Sequence, residues 1–148
     1  MKIFWAILTV LSVAFSFDCS GSNSLKVTES WARAAAQGEN TDLFALITNN
    51  TKEPDTLVSV SSDLADTVEI YKTSNVDGVM QPSATDKLAI GAGKSLRLLP
   101  DKHYIHLTNL HEPLVAGATI HVRMGFEKSG VIDQNILIQP ADTTKFTD

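Results

Sequence analysis

The chain has 148 residues, of which 43% are hydrophobic and 20% charged, and its formal net charge is -5. This length and composition are typical of one globular domain and exclude a disordered chain. Its 12 Lys and Arg residues are scattered along the sequence, so it lacks the basic clusters that bind nucleic acid or anionic membranes.

The N-terminal segment has the features of a secretory signal peptide. Lys2 is followed by an apolar run that ends at Phe15, and small residues at positions 14 and 16 predict cleavage after Ser16. The run is shorter than the roughly 20 residues of a membrane span, so we expect no span after cleavage. The predicted segments are a signal peptide (1–16), a flexible linker (17–24), one folded domain (25–140) and a loose C-terminal tail (141–148).

Cys19 is the only cysteine, so no disulfide can form within the chain. A cysteine just after an apolar leader is also a candidate for lipid attachment. The residue before it is Asp18, whereas lipoprotein processing prefers a small residue at that place. We therefore expect an unmodified thiol rather than a lipid anchor at Cys19.

The remainder reads as short β-strands separated by turns. Alternating or continuous apolar segments predict strands at 25–29, 43–48, 56–61, 67–71, 88–90, 95–98, 103–107, 120–126 and 136–138. Asp77-Gly78 indicates a hairpin turn. Turn residues recur every 8 to 15 residues or so, and no long stretch keeps a helical period, which predicts an all-β sandwich or small barrel.

No motif indicates an enzyme. The sequence shows no nucleophile with a plausible base, no paired-carboxylate signature and no phosphate-binding loop. The segment Gly91-Ala92-Gly93 is expected to be a flexible turn between strands. We therefore expect a protein without catalytic activity.

Several segments in order resemble the PCu(A)C family of periplasmic copper chaperones. Residues 27–34 are similar to the family's first strand and its Trp-x-Arg signature, here Trp31 and Arg33. Further similar segments are 46–49, 55–58, 65–70, 77–80, 98–100, 105–107 and 126–130. The resemblance covers residues 25–138 and implies a single-domain, cupredoxin-like Greek-key β-sandwich or barrel. It also implies a periplasmic protein that carries Cu(I) toward the copper-A centre of cytochrome c oxidase.

The resemblance also implies where copper would bind. The family motif is His, ten residues, Met, twenty-one residues and His-x-Met, which falls without a gap on Tyr71, Pro82, Tyr104 and His106. Pro82 has no side-chain donor and a phenol is a hard ligand, so only His106 suits soft Cu(I). Met80 would add a thioether if its loop rearranged, although Met side chains more commonly fill gaps in packing. The candidate ligands are therefore His106 and Met80, and copper binding is expected to be weak or absent.

Strand alternation places these side chains away from the core. Val68 and Ile70 share one face, so Tyr71 points to the other. By the same rule Tyr104 and His106 face away from the core, while His103 faces it as a structural imidazole; His111 falls in a turn and His121 on the surface.

If the two strands converge, as the family fold implies, Glu69 joins Tyr71, Tyr104 and His106. Such oxygen-rich donors would suit a ferric or cupric ion. The alternative is a packed pair of tyrosines that fills the copper position.

Two functions remain open at this point. One is a periplasmic copper-chaperone-like protein with weak or altered copper binding and the family role in delivery to cytochrome c oxidase. The other is a metal-free protein-interaction or assembly module that uses the surface around Tyr71 and Tyr104. In both cases we expect a monomer whose partner is a copper-acceptor or assembly protein in the periplasm.

Overall fold

The computed structural model describes residues 23–146, which contain ten β-strands. The strands are β1 (Leu25–Arg33), β2 (Thr41–Asn49), β3 (Asp55–Ser61), β4 (Ala65–Val76), β5 (Val79–Thr85), β6 (Leu88–Ile90), β7 (Ser95–Leu98), β8 (His103–Leu110), β9 (Thr119–Phe126) and β10 (Gly130–Gln139). The predicted signal peptide, Cys19 and most of the predicted linker lie outside the described residues. Within residues 23–146, no helix is long and apolar enough to cross a bilayer.

The strands form one hydrogen-bonded path in the order β5-β4-β8-β2-β1-β10-β9-β3-β6, and β7 pairs with β2 off this path. Residues 41–43 of β2 pair with β8, and residues 45–48 pair with β7. The first and last strands, β1 and β10, are parallel neighbours in the middle of the path, and the other strand pairs are antiparallel. The all-β, single-domain architecture predicted from the sequence is confirmed.

Side-chain alternation divides the sheet into a core face and an outer face. Leu43 on β2 and Ile105 and Leu107 on β8 are fully buried in the core. Phe44 alternates with Leu43 and therefore lies on the outer face, where its ring centroid is 4.5 Å from that of Trp31. This outer face of β2, β8 and β4 carries the candidate site.

The strand β5 was not predicted from the sequence. It pairs only with β4, at the edge of the path, and none of its side chains is buried. An edge strand without a buried face shows no apolar alternation, and it tolerates Pro82 because one side needs no N–H donor. Met80, expected in a loop, therefore lies in a paired strand.

The turn signal at Asp77-Gly78 is confirmed. Both residues have positive φ, 53° and 84°, and Val76 pairs with Val79 on either side of them. This two-residue turn with positive φ at both positions matches the right-handed twist of a β-hairpin. It fixes the register in which β5 follows β4.

Candidate metal site on the outer face of the sheet

The four positions that the family motif indicates lie close together on the outer face. Tyr71 on β4 is directly opposite Tyr104 on β8, and Pro82 on β5 is opposite Thr73 on β4. The rings of Tyr71 and Tyr104 are stacked with centroids 5.6 Å apart. The His106 ring centroid lies 5.3 Å from that of Tyr71 and 6.4 Å from that of Tyr104. Three half-buried rings therefore form one cluster at this place.

The Tyr104 phenol is held in its neutral form. Burial raises the pKa of this phenol above its usual value of 10.0, and the charges of Asp42, Tyr71 and Asp101 raise it further. A neutral phenol is a poor ligand for either oxidation state of copper. The stacked arrangement of the Tyr71 and Tyr104 rings is that of a packed tyrosine pair, the alternative to the hard-metal hypothesis.

His106 is held by a carboxylate that the sequence analysis did not identify. Its Nδ1 lies 2.7 Å from Oδ1 of Asp42, which is directly opposite on β2. A carboxylate only accepts hydrogen bonds, so Nδ1 donates and Nε2 of the neutral ring keeps its lone pair free for a metal. Oδ2 of the same Asp42 forms an ion pair with Nη1 of Arg33 at 3.6 Å.

β8 lies between β2 and β4, so His106 also has a direct neighbour on β4, which is Glu69. The four residues of the hard-metal hypothesis, Glu69, Tyr71, Tyr104 and His106, therefore occupy adjacent positions on one face. Within residues 23–146, however, no three His, Cys, Asp or Glu side chains are arranged to hold a metal ion.

Met80 is not next to His106. It lies opposite Asn75 on β4, whereas His106 lies opposite Glu69, a difference of 75 − 69 = 6 residues. At a rise of about 3.3 Å per residue this is roughly 20 Å along the strand. The Met80 side chain is 56% exposed, and its assignment as a ligand stays a prediction.

A cavity of about 490 Å³ opens beside the rings. Tyr104, Pro82 and Met80 line one part, while Arg33, Asp42 and Asp101 line another. Thr144, in the C-terminal segment, completes the wall. The cavity holds one thioether among mostly oxygen donors, which is a poor match to the two imidazoles and two thioethers of the family motif.

The other histidines lie elsewhere. His103 is half-buried on the opposite face of β8, where its Nδ1 is buried without a hydrogen-bond partner. His121 is exposed on β9. The hydrogen bond between His111 Nε2 and Asp66, 2.8 Å long, raises the pKa of His111 and links the start of β4 to the residue that follows β8.

Comparisons with known proteins agree with the fold. A family model described as "Putative lipoprotein LpqE-like" matches residues 25–138. The apo PCuAC domain of PmoF2 is 20% identical with a TM-score of 0.69, covering 82% of this chain and 94% of that domain. For the apo PCuAC domain from PmoF1 the identity is 26%, the TM-score 0.67 and the coverage 79% and 94%.

A third similar structure is the solution structure of CuI-DR1885 from Deinococcus radiodurans. It is 23% identical with a TM-score of 0.65, over 83% of this chain and 85% of that one. No curated protein matches the chain. The resemblance inferred from the sequence and the cupredoxin-like fold that it implied are confirmed. The chain belongs to the LpqE-like family, which is of the PCu(A)C type.

Proposed function

We propose that this protein is a periplasmic copper-chaperone-type protein whose copper binding is weak and is anchored by Nε2 of His106. One observation carries the proposal: Nδ1 of His106, a residue that the family resemblance implies as a ligand, is bonded to the Asp42 carboxylate. Metal-binding histidines are commonly held in this way, with the second ring nitrogen bonded to a carboxylate. The similarity to PCuAC domains, one of them a Cu(I) form, supports the same role.

The donors present set the strength of binding. Tyr71, Pro82 and Tyr104 offer Cu(I) no soft donor, and Met80 of β5 lies opposite a β4 residue six positions away from the one opposite His106. A single imidazole, completed by solvent or by a partner's donors, makes a labile site. Such a site is suited to passing copper on, and by family analogy the recipient is the copper-A centre of cytochrome c oxidase.

A competition titration of the apo protein with Cu(I) tests this proposal. We expect one equivalent of copper to bind weakly, and this binding to disappear in His106→Ala. His121→Ala is the matched control, because it removes an exposed imidazole from β9. Binding that survives His106→Ala, or no binding in the native chain, would refute the proposal.

A metal-free interaction module is the second candidate. It is favoured by the stacked Tyr71–Tyr104 pair at the copper position and by the exposed apolar residues of the adjoining hairpin. Val76, Val79 and Met80 are 44%, 58% and 56% exposed. If this candidate is right, Tyr71→Ala and Val79→Ser abolish the capture of a periplasmic assembly partner, while copper fails to bind the native chain.

Export to the periplasm is part of the proposal, and we propose a monomer in that compartment. The family description names lipoproteins, which is compatible with export. It also favours a lipid at Cys19, contrary to the unmodified thiol expected from Asp18. The mass of the mature protein decides between a free chain that begins at Phe17 and a lipid-bearing chain that begins at Cys19, and Cys19→Ser provides the unmodified reference.

A further inference from the structure

We infer that Asp42 is a positioning residue for His106, and that Arg33 holds Asp42 in place. Together they fix the imidazole as the Nδ1–H tautomer and present Nε2 to the outer face. For its consequence on copper binding, the inference rests on the proposed function. The arrangement of the three side chains is independent of any metal.

A hydrogen bond joins Asp42 and His106. Their side chains are both 26% exposed, and Nδ1 lies 2.7 Å from Oδ1. A neutral imidazole in water exchanges its proton between two nitrogens, and the hydrogen bond made by one nitrogen decides which of them keeps it. Because Nδ1 faces the Asp42 carboxylate, which can only accept a hydrogen bond, the proton is fixed on Nδ1 and the lone pair on Nε2.

Asp42 is itself restrained. Its other oxygen, Oδ2, lies 3.6 Å from Nη1 of Arg33. An isolated ion pair near the surface contributes little to stability. The role of Arg33 is therefore to orient the Asp42 carboxylate. Arg33 fixes the carboxylate only if its own guanidinium is fixed.

The Arg33 guanidinium is fixed from two further sides. Its Nε donates to the carbonyl oxygen of Thr143 at 3.1 Å, and its Cζ lies 5.2 Å from the ring centroid of Phe44. A planar guanidinium that is stacked on a ring and bonded at its edge keeps one orientation. The chain of contacts thus runs from the C-terminal segment through Arg33 and Asp42 to His106.

Glu69 does not replace Asp42 in this role. It flanks His106 from β4 in the strand register, but it is exposed, and the Nδ1 bond goes to Asp42. Loss of Asp42 would therefore leave Nδ1 facing solvent. Both tautomers would then be populated, and only one of them offers Nε2 as a donor.

The test measures the tautomer and the copper affinity separately. The imidazole ¹⁵N shifts of His106, recorded at a pH where the ring is neutral, report which nitrogen carries the proton. We expect the Nδ1–H form in the native chain and a mixture in Asp42→Ala. Asp42→Asn should retain much of the Nδ1–H form, because its amide oxygen still accepts. Asp133→Ala, an exposed carboxylate on β10, is the control.

For copper we expect Asp42→Ala to lower the Cu(I) affinity by about 10- to 100-fold, the usual effect of losing such a supporting carboxylate. Arg33→Gln should shift both readouts in the same direction by less. If Asp42→Ala fails to fold, Asp42→Asn and Arg33→Gln carry the test. A native His106 in the Nε2–H form, or a tautomer unaffected by Asp42→Ala, would overturn the inference. If the native chain binds no copper but has the expected tautomer, the proposed function fails and the positioning role stands.

Discussion

At the scale of single residues, Asp55 is the most tightly bonded carboxylate of the described chain. It is 3% exposed. It accepts hydrogen bonds from the backbone N–H groups of Thr56, Lys128 and Ser129 and from the Ser129 hydroxyl. Burial alone would raise the pKa of Asp55, but the bond from the Ser129 hydroxyl and the backbone bonds outweigh it, so the pKa lies below 3.8. Asp55 thereby fixes the β9–β10 turn to the start of β3.

Asp55→Asn should destabilise the fold. An amide has one acceptor oxygen, and its NH₂ group would face donors, so buried N–H groups lose their partner at a cost of about 1–3 kcal/mol. Because the folded pKa is depressed, the native carboxylate contributes stability above its unfolded pKa near 3.8 and loses it as the pH falls through the folded pKa.

Urea denaturation at neutral and acidic pH measures both effects. Asp55→Asn should lower the unfolding free energy at neutral pH and show a smaller loss on acidification than the native chain. Asp133→Asn, which removes an exposed carboxylate from β10, should change little. Equal stability of native and Asp55→Asn chains at neutral pH would contradict the assigned role.

The residue scale also shows what the sequence can and cannot predict about the site. Alternation along β4 and β8 correctly predicted that Tyr71, Tyr104 and His106 face away from the core, because the period of a strand is a local property. Asp42 was missed. It is 64 residues from His106 in sequence. Alternation predicts which face of the sheet a side chain lies on, but not which residue of another strand lies next to it. That contact depends on the pairing of β2 with β8, which no local pattern encodes.

At the scale of elements, the β4–β5 hairpin decides where Met80 and Pro82 lie. Its turn places Gly78 at a φ of 84°, and a Cβ added there would meet no atom within 4 Å. Any loss on substitution therefore comes from the backbone conformation alone. The N–H of Gly78 also donates to the Asn75 side chain at 2.8 Å, which tightens the turn.

Gly78→Ala should destabilise the hairpin by about 1–2 kcal/mol, the cost of a left-handed conformation for a residue with a Cβ. Gly78→Asn should lose less, because Asn tolerates this conformation. Hydrogen exchange of the β5 amides is the measurement. We expect faster exchange in Gly78→Ala, while the amides of β1 and β10 keep the native rate. Equal exchange in the Ala and Asn variants would show that the turn adapts without strain.

The strands that the sequence predicted and the one that it missed differ in burial. The nine predicted segments all contain side chains that the core covers, so apolar residues mark them. β5 has only exposed or half-exposed side chains, and its pairing comes from the turn at Asp77-Gly78 and from the backbone. An edge hairpin of this kind is visible in the sequence through its turn but not through its second strand.

At the scale of the whole molecule, β10 joins two parts of the sheet. It pairs with β9 from Gly130 to Leu137 and with β1 from Leu137 to Gln139. Without it, the path β5-β4-β8-β2-β1 would be separated from β9-β3-β6. The fold therefore depends on contacts between the two ends of the domain, which form only when most of the chain is present.

Two truncations distinguish this closing strand from the C-terminal segment after it. A chain that ends at Ser129 lacks β10, exposes the core edges of β1 and β9, and should not fold. A chain that ends at Pro140 keeps every strand and should unfold cooperatively, with a modest loss of stability, because it lacks the Thr143 carbonyl that binds Arg33. Thermal unfolding followed by circular dichroism, and the dispersion of amide NMR signals, measure both. A folded chain ending at Ser129 would show that the sheet closes without β10. An unfolded chain ending at Pro140 would show that residues 141–148 are a structural part of the domain. The polar composition of these residues predicts instead a loose tail.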